Sequence, residues 1–138
     1  MTEVRLISEF SGDMLERIAG FYISAGWLSE GDDTSFLLPA LNGSALVAGA
    51  FDENGVIIGC ARCLSDGCSD AYIQDVTVDK SYRGRGIGGK LVKLLASELA
   101  DRGIDWIGLV GVPGTEKFYS SLGFVPQGGH TLWLKKDE

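Results

Sequence analysis

Between a strand-like run, Tyr72 to Val78, and a helix-like run, Ile87 to Arg102, lies the stretch Tyr82-Arg83-Gly84-Arg85-Gly86-Ile87-Gly88-Gly89-Lys90. Its glycines let the backbone take positive φ and come close to a ligand without a side-chain clash. The helix that follows starts with N–H groups lacking an intrahelical acceptor and with the positive end of its dipole. A strand, a glycine-rich bend and a helix N-terminus together make a site for phosphate or pyrophosphate. Arg83 and Arg85 add formal positive charge. Two solvated surface arginines are the plain alternative, but a solvated turn has little need of so many glycines.

Two familiar phosphate loops fit poorly. Gly84-x-Gly86-x-x-Gly89 has the dinucleotide spacing, yet Asp79 to Arg83 intervene where the first glycine should follow the strand almost directly. The acidic residue expected at the end of the next strand is also missing, since Asp105 stands at that strand's start. A nucleoside-triphosphate loop would end in Gly-Lys-Ser/Thr, and this run does not.

The 138 residues make a single domain, 1–138, long enough to bury a core without staples. A hydrophobic content of 45% excludes a disordered chain. The net charge of −7 disfavours a nucleic-acid partner, which needs a basic face, and suits a cationic acceptor such as an amine. No apolar run approaches the length of a membrane span and no signal-peptide pattern follows Met1, so a cytoplasmic protein without membrane contact is expected. Cys60 and Cys63 would point to opposite faces of a strand, which argues against a metal pair. Together with Cys68 they read as free, mostly buried thiols, and no metal is expected.

Read in order, Glu3 to Phe10 alternates as an opening strand. Asp13 and Glu16 have capping-box spacing before a helix that Gly26 ends. The loop after it carries Glu30, Asp32 and Asp33, either an amine-receiving cluster or a solvated face, and Ser35 to Leu41 makes a short helix limited by Pro39. Ser44 to Asp52 and Val56 to Ser65 form a hairpin through Asn54-Gly55, and a turn at Asp66 leads to the strand Ala71 to Val78. Beyond the glycine-rich loop, a helix with Leu91, Leu94, Leu95 and Leu99 on one stripe crosses to a parallel strand at Ile104 to Val110. A short helix closes at Leu122-Gly123-Phe124 with a Schellman end, and Thr131 to Lys135 reads as a last strand. The fold class is α/β: a mixed sheet in which an antiparallel meander precedes a splayed parallel strand pair, with flanking helices.

Arg83-x-x-Gly86-x-Gly88 resembles the Arg/Gln-x-x-Gly-x-Gly/Ala motif of the GCN5-related N-acetyltransferases. Val76-Thr77-Val78 stands before it where that family has its fourth strand. A second family element is matched by Phe118-Tyr119-x-x-Leu122-Gly123-Phe124. With the elements between them, the resemblance covers roughly residues 44 to 126.

The resemblance implies acetyl-CoA as co-substrate and direct transfer of an acetyl group to a primary amine, on a small molecule or a peptide. The backbone of Val76 and Val78 would pair with the pantetheine arm. The amides of Gly84, Arg85, Gly86, Ile87, Gly88 and Gly89, helped by Arg83, would hold the pyrophosphate. Tyr119 is either an ordinary packed aromatic or, as the family places it, the acid that protonates the departing thiolate. Asp75, expected on the face opposite Gln74 and Val76, is either a candidate base or a satisfied structural carboxylate; His130 is a less favoured second base. Some family members carry an acidic base earlier on this strand, where Tyr72 stands here. An asparagine common after the second parallel strand is replaced by Pro113-Gly114. No cysteine lies in either motif, so no acyl-cysteine is expected. A homodimer is compatible with the pattern, and a CoA-binding module without catalysis is the rival reading.

Overall fold

The computed structural model describes residues 2–137 as one mixed sheet with helices on both faces. Strand β1 (Glu3–Leu6) leads into α1 (Gly12–Ser24), a short α2 (Leu37–Asn42) and the run β2 (Leu46–Phe51), β3 (Ile57–Ser65) and β4 (Asp70–Val78). A 3-10 turn at Lys80–Tyr82 and the glycine-rich loop bring the chain into α3 (Ile87–Asp101), then β5 (Trp106–Leu109) and α4 (Glu116–Ser121). The strands lie in chain order, β1 to β5. The first three pairings are antiparallel and β4–β5 is parallel, as the meander and crossover predict.

Each sheet face has its own core. On one, Ile87, Leu91, Val92, Leu95 and Leu99 of α3 pack on Ala48, Ile58, Ala61, Cys63, Ala71 and Ile73. Each large aliphatic buried there contributes about 1.5–3 kcal/mol, which fixes where α3 begins relative to β4. On the other face, Ile18, Phe21 and Tyr22 of α1 and Leu37 and Leu41 of α2 pack on Val47, Phe51, Ile57 and Cys60. Cys60 and Cys63 therefore do point to opposite faces, and both are buried while Cys68 is exposed.

Local chemistry departs from the sequence reading at three places. The cap of α1 is Ser11, whose Oγ accepts from the Met14 amide at 3.2 Å, two residues before the expected Asp13. Pro39 sits inside α2 without breaking it, because in the first turn its missing N–H would have had no intrahelical acceptor. The expected strand at Thr131 to Lys135 does not form: residues 125–137 have neither helix nor strand, and Leu132, Trp133 and Leu134 are exposed. An alternating pattern needs a neighbour to pair with, and the sheet stops at β5.

Candidate active site

The four glycines of the loop divide into two pairs. Gly84 and Gly86 both have φ of 80°, a backbone region that side chains rarely enter, and a Cβ built on either meets nothing within 4 Å. The space in front of them is open. Gly88 and Gly89 instead face the protein: a Cβ at Gly88 would make ordinary contact with the Phe118 ring at 3.4 Å and with Val78 at 3.7 Å, and one at Gly89 with Leu122 at 3.5 Å. Gly86 caps α3, and the first helical bond runs from the Lys90 amide to the Gly86 carbonyl at 3.2 Å. The amides of Ile87, Gly88 and Gly89 thus form the donor end of the helix, while the Ile87 side chain is buried in the core.

Both loop arginines are anchored. Arg83 donates through Nε to the Val78 carbonyl and through Nη2 to Ser24 Oγ, each at 3.2 Å, which ties the loop to the ends of β4 and α1. The Arg85 guanidinium lies over the Tyr82 ring, 5.0 Å from its centroid. Free helical amides, two guanidinium groups and an open approach are a donor set that fits a pyrophosphate.

The strand before this loop is irregular where the site needs it. β3 pairs Cys60 with Thr77 and Arg62 with Gln74, so Ala61 alone faces two residues, Asp75 and Val76. That is a β-bulge, and Asp75 sits in it with φ of 57°. The extra residue breaks the alternation on which the sequence reading relied. Asp75 consequently shares a face with Gln74 instead of opposing it: Arg62 donates to Asp75 Oδ2 through Nε at 2.7 Å and to Gln74 Oε1 through Nη2 at 3.5 Å. Tyr22 of α1 donates to the same Oδ2 at 3.4 Å. Burial, followed by the nearby Asp75 charge, pushes the Tyr22 hydroxyl well above its ordinary value, so it stays a donor. Among the described residues no donor reaches Asp75 Oδ1.

Sequence reasoning missed Arg62 and Tyr22. The signal was available in Ile57–Ser65, where one arginine interrupts a buried apolar run and therefore requires a partner.

The parallel partner ends at the same point. β5 pairs with β4 from Asp70↔Trp106 to Ile73↔Leu109 and then stops, while β4 runs on to Val78. Among the described residues, Gln74 to Val78 therefore have a strand partner on the β3 side alone. The side chains of Val76 and Val78 pack towards the α3 core, which leaves their backbone edge for a ligand.

Tyr119 is positioned by the end of α4. The Phe124 amide donates to the Tyr119 carbonyl and the Gly123 amide to that of Ser120, both at 3.1 Å, which is the predicted Schellman pattern. The Tyr119 ring packs edge-on to Phe118 and Phe124, with centroids 4.8 and 6.1 Å away. Its hydroxyl makes no hydrogen bond among the described residues, and burial raises its pKa above the ordinary value, so it keeps its proton. The other candidates are engaged elsewhere. Asp32 and Asp33 accept from the amides of Ser29 and Ser35 in their own turns, and His130 is exposed with Nδ1 3.3 Å from the Gly128 carbonyl. At Pro113-Gly114, Gly114 takes φ of 91° and the chain turns directly into α4.

This arrangement matches known proteins over most of the chain. The acetyltransferase (GNAT) family profile matches residues 13–124. The chain belongs to the GNAT family. An uncharacterized N-acetyltransferase ycf52-like of Prochlorococcus marinus is 35% identical over 88 residues, 62% of this chain and 49% of the relative. The chain spans about half the length, or less, of the curated GNAT relatives it matches. A GNAT family acetyltransferase from Streptococcus pneumoniae superposes with a TM-score of 0.77 at 26% identity, covering 99% of this chain and all of the other. AAC(6')-Iy, solved in complex with the bisubstrate analogue CoA-S-monomethyl-acetylneamine, shares the fold at a TM-score of 0.73, 18% identity and 99% coverage of both chains.

Proposed function

We propose that this GNAT chain moves an acetyl group from acetyl-CoA to a primary amine by direct transfer within a ternary complex. The observation that carries the reading is the meeting of the two motifs: Phe118 packs against Gly88 of the glycine-rich loop, and the next residue, Tyr119, stands by Gly111 just past the end of β5. Bound acetyl-CoA supplies an activated thioester. The amides from Gly84 to Gly89, with Arg83 and Arg85, hold its pyrophosphate, and the backbone of Val76 and Val78 receives the pantetheine as an added strand. Tyr119 Oη donates its proton to the departing sulfur. Asp75 Oδ1 accepts the proton of the amine, directly or through a water, while Arg62 and Tyr22 hold Oδ2 in place. The positive φ of Asp75 supports a working role, because such strain persists where the surroundings over-determine it.

Direct transfer is favoured by the state of the two buried thiols. Burial pushes Cys60 up to about 12 and raises Cys63 as well, so neither is a ready thiolate. Among the described residues no helix is long and apolar enough to cross a membrane. A cytoplasmic setting belongs to the same proposal.

A screen of primary amines with acetyl-CoA, read by release of free thiol, tests the reading. Turnover of at least one amine is expected. Tight acetyl-CoA binding by calorimetry with no turnover anywhere would replace the enzyme with a binding module. A covalent acetyl-enzyme seen by mass spectrometry and removed by a cysteine-to-alanine change would overturn direct transfer.

A further inference from the structure

We propose that the acceptor amine is carried on a flat aromatic body, and that Tyr72 and Trp106 are the platform on which this body rests. The inference builds on the acetyl-transfer reading and names its substrate class. The two rings stand 5.1 Å apart between centroids, at 56° to each other, and are 46% and 51% exposed. Their neighbours Ala71 and Ile73 are buried under α3, so by strand alternation Tyr72 lies on the opposite face, with Gln74 and Arg62. On that face α1 and α2 pack over β2 and β3 and leave the ring pair bare.

Trp106 is laid down rather than pointing outward. A Cβ at Gly108 would be 2.7 Å from Trp106 Cζ3, so the indole occupies room that only glycine leaves. Tyr72 is the register partner of Gly108, and this places both rings where β4 and β5 are still joined, just before they part. The site of chemistry is close. Along a strand, Gln74 is about 7 Å from Tyr72 and Asp75 about 10 Å. An amine at Asp75 with an aromatic ring one short tether away would span that distance and stack on the platform. Charge agrees: the chain carries −7, which favours the approach of a cationic amine.

The experiment compares 2-phenylethylamine with butylamine, using wild type, Trp106→Phe, Trp106→Ala and Tyr72→Ala. The wild type should prefer the aromatic amine in kcat/KM, and the preference ratio should fall about tenfold in Trp106→Ala and Tyr72→Ala. Because stacking holds the body of the acceptor, the loss should appear in KM more than in kcat. Gly108→Ala, which displaces the indole, should lower the ratio in the same direction. A wild type without aromatic preference, or variants that retain it, would overturn the platform. A second readout needs no turnover. Tryptophan fluorescence should change on titration with 2-phenylethylamine in wild type and respond less in Trp106→Phe. An equal response in both proteins would overturn the platform even if acetyl transfer holds, and a Trp106-dependent response without turnover of any amine would leave the platform standing and remove the reaction.

Discussion

The two halves of β4 are built to opposite rules. From Ala71 to Ile73 the strand is paired on both sides, to β3 and to β5, and its alternate residues Ala71 and Ile73 are sealed under α3. From Gln74 to Val78 it loses its β5 neighbour, bulges, and carries a residue at positive φ whose carboxylate is held by side chains from another strand and from a helix. The regular half supplies stability, and the irregular half leaves an unpaired backbone edge and a positioned carboxylate. One strand can do both because the bulge confines the disturbance to a single residue, after which Thr77 is again buried and Val78 again packs inward.

Substitutions on each side of the bulge should separate the two rules. The largest effect is expected across the gap from the irregular half, at Tyr119→Phe, where the ring and its packing remain but the proton donor goes. There kcat should fall by roughly 10²–10⁴-fold with little change in acetyl-CoA affinity. Full kcat in a folded variant, measured where chemistry limits the rate, would end the acid role. In the regular half, Ile73→Ala should cost about 2–5 kcal/mol in a urea melt while acetyl-CoA affinity stays within a few-fold of wild type; a large affinity loss at unchanged stability would erase the contrast. Asp75→Asn keeps a residue type that tolerates positive φ and an acceptor for Arg62 but removes the charge paired with that largely buried guanidinium, so a stability loss of about 1–3 kcal/mol is expected. Its kcat/KM should also drop about 10²-fold, and near-normal turnover would make Asp75 structural.

The smallest effect concerns pH. Buried Cys60 is held neutral up to about 12, whereas an unfolded thiol ionises near 9.0. The native state therefore binds more protons above pH 9, and stability should be full below that value and fall as pH rises towards 12. The slope should be about 1.4 kcal/mol per pH unit for each such group, with Cys63 and Tyr22 shifted in the same direction. Urea midpoints at pH 7 and pH 10 measure it. A midpoint that does not fall would mean the thiol is not protected.

The parts legible in the sequence were those written in local patterns. The meander, the crossover helix, the glycine-rich loop and the Schellman turn at Gly123-Phe124 each rest on residues near one another in the chain. The bulge at Asp75 was illegible for a physical reason. It depends on how β3 and β4 register, and a strand read alone has a strict two-residue period. The partners Arg62 and Tyr22 are 13 and 53 residues from Asp75, beyond any spacing rule. The glycines were half legible: their number announced a loop, but that Gly88 and Gly89 face Phe118 and Leu122 while Gly84 and Gly86 face open space required the fold. Thr131 to Lys135 had the composition of a strand, and composition does not supply a neighbour.

The sequential order of the strands bears on how the chain acquires its shape. Every strand neighbours the next one in the chain, but only β2–β3 and β3–β4 are joined by short turns; β1 reaches β2 through α1 and α2, and β4 reaches β5 through α3. The two hairpins close small loops and should form first, whereas the longer connections cost more loop-closure entropy. Several side-chain fastenings between distant parts of the chain lie on α1: Arg17 donates to the Ile57 carbonyl and, 62 residues away, to Asp79, and Ser24 receives Arg83 from 59 residues away. They close only after β4 and the loop exist. In refolding, α1 should consequently gain hydrogen-exchange protection last, although it is among the first elements to leave the ribosome.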